Sequence, residues 1–149
     1  MVRPEYHMRD GYEVRVVRPD ELDRLWPEVR PLLEPAIPFC NGEFEVDDLR
    51  DLVVAGKAFI VALEDERGIA LASVFEVLCL PRKTVLNVLV TGGSKLNVLI
   101  QQFWDRLDAI GRTLGAEAIR GAVRPAMQRY YRRIAPEAAV AYTILERKL

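Results

Sequence analysis

Apolar and polar positions change period several times along the chain. In "YEVRVVRP", Tyr12, Val14 and Val16 alternate with Glu13 and Arg15, which predicts a half-buried strand closed by Pro19. Asp20 then stands where a helix cap belongs, and Leu22, Leu25, Trp26, Val29, Leu32 and Leu33 follow at helical spacing. Pro27 and Pro31 lack an N–H and are expected to kink or divide that helix. After the loop "PAIPFCNGEF", a short helix is predicted from Val46 to Ala55, ended by Gly56 where a left-handed residue is wanted. The middle of the chain shifts to β-rich apolar stretches, "KAFIVALED", "GIALASVFEVLCLP" and "KTVLNVLVTGG", separated by "EDERG" and "LPRK", and these predict an antiparallel meander.

The period lengthens again after Gly92-Gly93. Leu96, Leu99, Phe103, Leu107, Ile110 and Leu114 recur at steps of three and four, while Gln101, Gln102, Asp105 and Asp108 take the opposite face, so a long helix with Leu99, Phe103, Leu107 and Ile110 against a sheet is expected, ending at Gly115. "AEAIRGAV" reads as a fifth strand, "PAMQRYYRRI" as a short helix and "AVAYTILERKL" as a closing strand. The order of strand, two helices, three strands, helix, strand, helix and strand makes an α+β fold: a mixed, mostly antiparallel sheet with helices on both faces. No repeat, low-complexity tract or Gly/Ser linker marks a boundary, so residues 1–149 are expected to be one domain. Within this order Gly92-Gly93 reads first as a strand-to-helix turn and second as a loop that cradles phosphates.

Composition removes several function classes. A chain of 149 residues can bury roughly 68–70% of its unfolded surface and needs no disulfide or metal to fold. Cys40 and Cys79 have no metal-ligand spacing and His7 is the sole histidine, so zinc sites and serine or cysteine triads lack raw material, and no metal is expected. Apolar runs fall far short of the ~18 residues of a membrane span, and the charged start lacks the apolar core of a signal peptide, so a cytoplasmic protein with no membrane partner is expected. The net charge is −1, yet residues 112–149 carry eight basic against three acidic residues, and "NGEFEVDDLRD" carries five acids and one arginine. Both runs suit a solvated surface. The basic quarter, with tyrosines beside arginines in "RYYRR", also fits a nucleic-acid binder, but a near-zero net charge gives little long-range attraction to phosphate and argues against that partner.

From "YEVRVVRPDEL" through "LDAIGRTLGAEAIRGAV" and "MQRYYRRIAPEA" to "YTILERKL", the chain resembles the GNAT superfamily of acyl-CoA-dependent N-acetyltransferases. That resemblance implies a sheet splayed between its fourth and fifth strands, with coenzyme in the gap and its pyrophosphate on backbone amides at the start of the following helix, where free N–H groups and the helix dipole favour an anion. The family's usual loop is Arg/Gln-x-x-Gly-x-Gly/Ala; here the segment is "TGGSKLN", whose glycines come early and whose helix opens with Leu96, Val98 and Leu99. Arg124-Pro125 stands where the family tends to place an asparagine, and "RRIAPEA" follows Tyr131 in place of a lysine-leucine-glycine-phenylalanine type of ending. The strings "CNGEF", "TGGSK" and "AYTILERKL" also resemble small GNAT-like proteins encoded by tailed bacteriophages, which implies a viral protein of the host cytoplasm or the virion.

The resemblance implies acetyl-CoA as co-substrate and an amine as acceptor. Coenzyme contacts then fall on Leu89, Val90, Gly92, Gly93, Ser94, Lys95 and Arg129, with a backbone N–H near Leu89 or Val90 as oxyanion partner and Lys95 and Arg129 reaching toward phosphates. Tyr131 matches the family's general-acid tyrosine, and Tyr130 is one register away. Glu76, mid-strand between Phe75 and Val77, is the best available base if partly desolvated; its other reading is an outward-facing strand carboxylate. Glu43 and Glu45, in the acidic loop on the acceptor side, suit a cationic amine. Two leading functions result: a small N-acyltransferase, or a GNAT-like protein without the chemistry that serves as a binding or structural component among protein partners.

Overall fold

The structure is a computed structural model that describes residues 11–94 and 96–149, with the side chains of residues 96–100 outside the description. Strand β1 (Glu13–Val16) is followed by helices α1 (Leu22–Leu33) and α2 (Val46–Val54) and by strands β2 (Phe59–Asp65), β3 (Gly68–Leu80) and β4 (Lys83–Gly93). Helix α3 (Leu96–Thr113), strand β5 (Ala118–Gly121) and helix α4 (Pro125–Ile134) complete the set. The five strands lie in chain order; β1 to β4 pair antiparallel, and β5 joins β4 in parallel through the crossover helix α3.

Each face of the sheet carries its own apolar core. On one face α1 and α2 set Trp26, Val29, Leu33 and Leu49 against Ile60, Ala72, Val74 and Val90. On the other, α3 sets Phe103 and Leu107 against Val61, Leu63, Phe75 and Leu86, as their spacing predicts. Ile110 is half-buried beside this second core, and the expectation for the Leu99 side chain lies outside the described residues.

Four local expectations need correction. Pro27 and Pro31 do not divide α1, which runs unbroken from Leu22 to Leu33. Both prolines are exposed and sit four residues apart on the solvent face, where water can take the carbonyls that a proline leaves without a donor. The residue at the N-cap position of α1 is Glu21, not Asp20, and its side chain makes no cap bond to α1: the buried carboxylate closes the preceding turn, accepting from the Arg18 N–H at 3.0 Å and from Arg15 at 2.7 Å. Val16 is exposed, because the alternation ends there and Val17 turns into the α1-side core with its N–H on the Ile60 carbonyl. The closing segment forms no strand among the described residues. An alternating pattern becomes a strand only where a neighbour offers a ladder. Residues 139–149 instead make side-chain contacts, with Tyr142 under the Arg120 guanidinium and Glu146 on Asn41, and leave Ile144 and Leu145 exposed.

Candidate active-site cleft between the fourth and fifth strands

Strand β4 builds the site where its β5 neighbour ends and its register with β3 slips. Up to Val88 it pairs with β3 on one side and with β5 on the other, where Val88 faces Gly121. There β5 ends and the chain leaves through Ala122 to Arg124 into α4, whose Pro125 suits the first helical position because no N–H is needed there. On the β3 side the register slips at the same place: Val88 faces Phe75 and Val90 faces Val74, so Leu89 is an extra residue without a partner. This is a β-bulge, a device that bends a strand and re-aims its backbone.

The parted strands open a cleft of about 890 Å³. Its floor is β4 from Val88 to Gly93 with Ser94 just beyond, and Gly121 to Arg124 form the opposite rim. Phe103 and Trp104 of α3 and Met127 and Tyr131 of α4 wall one side; the loop with Phe39, Cys40, Asn41 and Glu43 walls the other, and Ile144 and Glu146 close it from the C-terminal segment. A second hollow of about 470 Å³ between α3 and the end of α4 has no contact with the bulge.

Gly92 and Gly93 are not a turn. They are the last two residues of β4, paired with Ala72 and Leu71, and line the cleft as strand backbone. Their missing side chains are explained by packing: a Cβ on Gly92 would overlap the Leu32 carbonyl of α1, and one on Gly93, whose φ is +153°, would lie 2.7 Å from the Leu71 Cα. The turn into α3 comes after them, with the Ser94 N–H and hydroxyl both directed at the Ala70 carbonyl.

The structure gathers most of the residues expected in the site. Leu89, Val90, Gly92, Gly93, Ser94, Tyr131 and Glu43 line one cleft. Tyr131 is half-buried, with its ring 6.0 Å from Trp104 and 5.8 Å from Tyr130 in an edge contact. Burial first, and then the neighbouring Tyr130, push its phenol above the ordinary value of 10, so it holds its proton. Burial also raises Tyr130, which packs beside the α3-side core and does not line the cleft.

Others fall elsewhere. Glu76 accepts a 2.8 Å hydrogen bond from the Asn87 amide directly across the sheet, half-buried and outside the cleft lining. Glu45 begins α2, with its N–H on the Asp48 carboxylate at 2.8 Å and its side chain turned to that cap. Arg129 is exposed on α4 outside the lining, and Lys95 lies outside the described residues.

Two contacts across the cleft mouth escaped the pattern. The Arg124 guanidinium lies 3.7 Å from the centre of the Phe39 ring, and the Asn41 amide donates to Glu146 at 3.1 Å. Both join positions more than eighty residues apart, which no local periodicity can signal. A third omission is the buried Ser73, whose hydroxyl donates to the Val90 carbonyl at 3.0 Å and meets the Thr91 hydroxyl at 2.6 Å.

Among the described residues no helix is long and apolar enough to cross a membrane. No family model and no curated protein matches the sequence. Solved structures do match the fold. An aminoglycoside acetyltransferase from an uncultured soil metagenomic sample, in complex with trehalose, superposes with a TM-score of 0.70 at 12% identity, covering 96% of this chain and 99% of that one. A GNAT family acetyltransferase of Staphylococcus aureus gives 0.60 at 11% identity, with 93% and 99% covered. A predicted acetyltransferase with acetyl-CoA from Clostridium acetobutylicum gives 0.60 at 10% identity, with 91% and 96% covered. At these identities the likeness is one of fold, and the fold is that of the GNAT acetyltransferases.

Proposed function

We propose that this chain is an N-acetyltransferase that moves an acetyl group from acetyl-CoA to an amine held in the cleft between β4 and β5. The observation that carries the reading is the coincidence at Leu89: the β3 register slips, β5 ends, and the cleft opens, all at one residue. A bulge re-aims the strand backbone, and a backbone N–H aimed into a cleft is the fixed donor that a developing oxyanion requires. The cleft's volume of about 890 Å³ and its apolar walls, Phe75, Val88, Phe103 and Trp104, fit a flexible thioester arm. One of the fold's neighbours is described with acetyl-CoA, in keeping with that choice.

In this reading Leu89 holds the thioester carbonyl oxygen through its N–H. Glu43 and Glu146 attract the ammonium form of the acceptor, which sheds a proton to one of them or to water. The amine nitrogen then bonds to the carbonyl carbon, the carbon–sulfur bond breaks, and Tyr131, kept protonated by burial, gives its proton to the departing thiolate, while the nitrogen releases its second proton to water, from which Tyr131 is reprotonated. Glu76 has no part, because Asn87 holds it outside the cleft. Amino sugars head the acceptor panel, since one neighbour of the fold is an aminoglycoside acetyltransferase.

Calorimetric titration with acetyl-CoA, followed by thiol release over a panel of amines, tests the reading. Saturable one-to-one heat that desulfo-CoA suppresses is expected, with acceptor-dependent thiol release. No heat at millimolar acetyl-CoA would overturn it and leave the chain a GNAT-like binding component.

A further inference from the structure

We propose that the Thr91 hydroxyl is a positioning group for the coenzyme, accepting a hydrogen bond from an amide N–H of its pantetheine arm; this rests on the acetyl-CoA reading above. The argument is one of proton accounting. Ser73 is fully buried, and its hydroxyl donates to the Val90 carbonyl at 3.0 Å. A carbonyl can only accept, so the single Ser73 proton is committed there. In the 2.6 Å contact between the two hydroxyls Thr91 must therefore be the donor. Its own proton is then committed too, and what remains on Thr91, in the cleft wall, is acceptor capacity alone. A hydroxyl locked in this state rewards a ligand donor and repels a ligand acceptor.

The position along β4 selects the donor. Thr91 lies two residues beyond the Leu89 bulge and two before Gly93, about 7 Å along the strand from each. An arm running from a carbonyl at Leu89 toward the start of α3 passes Thr91 midway, and its secondary amides present N–H groups there. The thioester at one end and the pyrophosphate at the other present only acceptors.

The experiment is calorimetric titration with acetyl-CoA, without acceptor, of the wild type, Thr91→Val and Thr91→Ser. Valine keeps the β-branched shape and removes the oxygen; serine keeps the oxygen. Thr91→Val should weaken the dissociation constant about three- to tenfold, the range of one neutral hydrogen bond, while Thr91→Ser stays near wild type. Thr91→Ser should melt with the wild type, while Thr91→Val should melt slightly lower because the hydrogen bond to Ser73 goes with the oxygen, so the titrations are run well below all three melting temperatures. Thr91→Ala provides the same loss of oxygen should valine disturb the strand. Undiminished binding by the oxygen-free variants, or equal loss in Thr91→Ser, would overturn the assignment while sparing the transferase reading. Absence of any wild-type binding would overturn both.

Discussion

The α-carbon of Gly92 lies against the peptide of Leu32: a Cβ built on it would stand 2.9 Å from the Leu32 carbonyl carbon and 3.3 Å from the Leu33 Cα. Strand β4 and the end of α1 are thus in backbone contact, and no rotamer change can relieve a side chain placed between them. Gly92→Ala should cost more than the roughly 1–3 kcal/mol of ordinary overpacking, because backbone rather than side chain must move. Gly93→Ala should be destabilising for two reasons, its φ of +153° and the 2.7 Å approach to the Leu71 Cα. Thermal melts without ligand check both: a drop is expected in each, and a wild-type melting temperature for Gly92→Ala would show that α1 does not rest on β4.

Phe103 is the largest fully buried α3 side chain among the described residues and is 1% exposed. Phe103→Ala should lose roughly 3–5 kcal/mol by denaturant unfolding, the usual range for a buried phenylalanine. A loss under about 1 kcal/mol would mean that the helix register is wrong, since that is the range of exposed sites.

These two residues mark what could be read from the sequence and what could not. Phe103, the α2 span, the meander and α4 rest on local signals, such as period, a left-handed Gly56 after α2 or a proline opening α4, and local signals survive folding when the core agrees with them. Gly92-Gly93 carries the same letters whether it turns, cradles an anion or admits a neighbouring backbone. Leu32, sixty residues away, decides which. The site divides the same way. Tyr131 and residues 89–94, which a family resemblance singles out, line one cleft. Glu76 lies outside the cleft lining, because a mid-strand position says nothing about which part of a face the helices cover, and the Arg124 contact has no local signal because its partner is an exposed ring on a distant segment.

Tyr131 and Tyr130 should separate in kinetics. Tyr131→Phe is expected to lower kcat about 10²- to 10⁴-fold, the usual worth of a positioned acid, with little change in melting temperature, whereas Tyr130→Phe should leave kcat near wild type. Because burial and the neighbouring ring raise the Tyr131 phenol above 10, its acid form persists at every lower pH. Loss of rate through Tyr131 ionisation therefore belongs above pH 10, and that alkaline limb should vanish in Tyr131→Phe. Thiol release measured across pH checks both; an unchanged kcat in the phenylalanine variant would remove Tyr131 from the reaction.

The Phe39–Arg124 stack and the Asn41–Glu146 hydrogen bond both tie the acceptor-side loop to the C-terminal third of the chain, across the mouth of the cleft. Between them on the loop sits Cys40, a half-buried thiol that lines the cleft, bonds the Ala36 carbonyl at 3.4 Å and is raised in pKa by burial and by Glu43. That makes Cys40 a natural reporter of opening. With the exposed Cys79 replaced by serine, iodoacetamide should label Cys40 slowly, and Arg124→Ala should speed labelling about two- to fivefold, the population shift expected from losing one exposed cation–π contact. The sign is informative. Removing a nearby cation by itself disfavours the thiolate and slows alkylation, so an acceleration can come only from better access. Acetyl-CoA should protect Cys40 in both proteins. Mass spectrometry of the time course gives the rates; equal or slower labelling in Arg124→Ala would show that the mouth stays closed without the stack, leaving Asn41 and Glu146 to hold it.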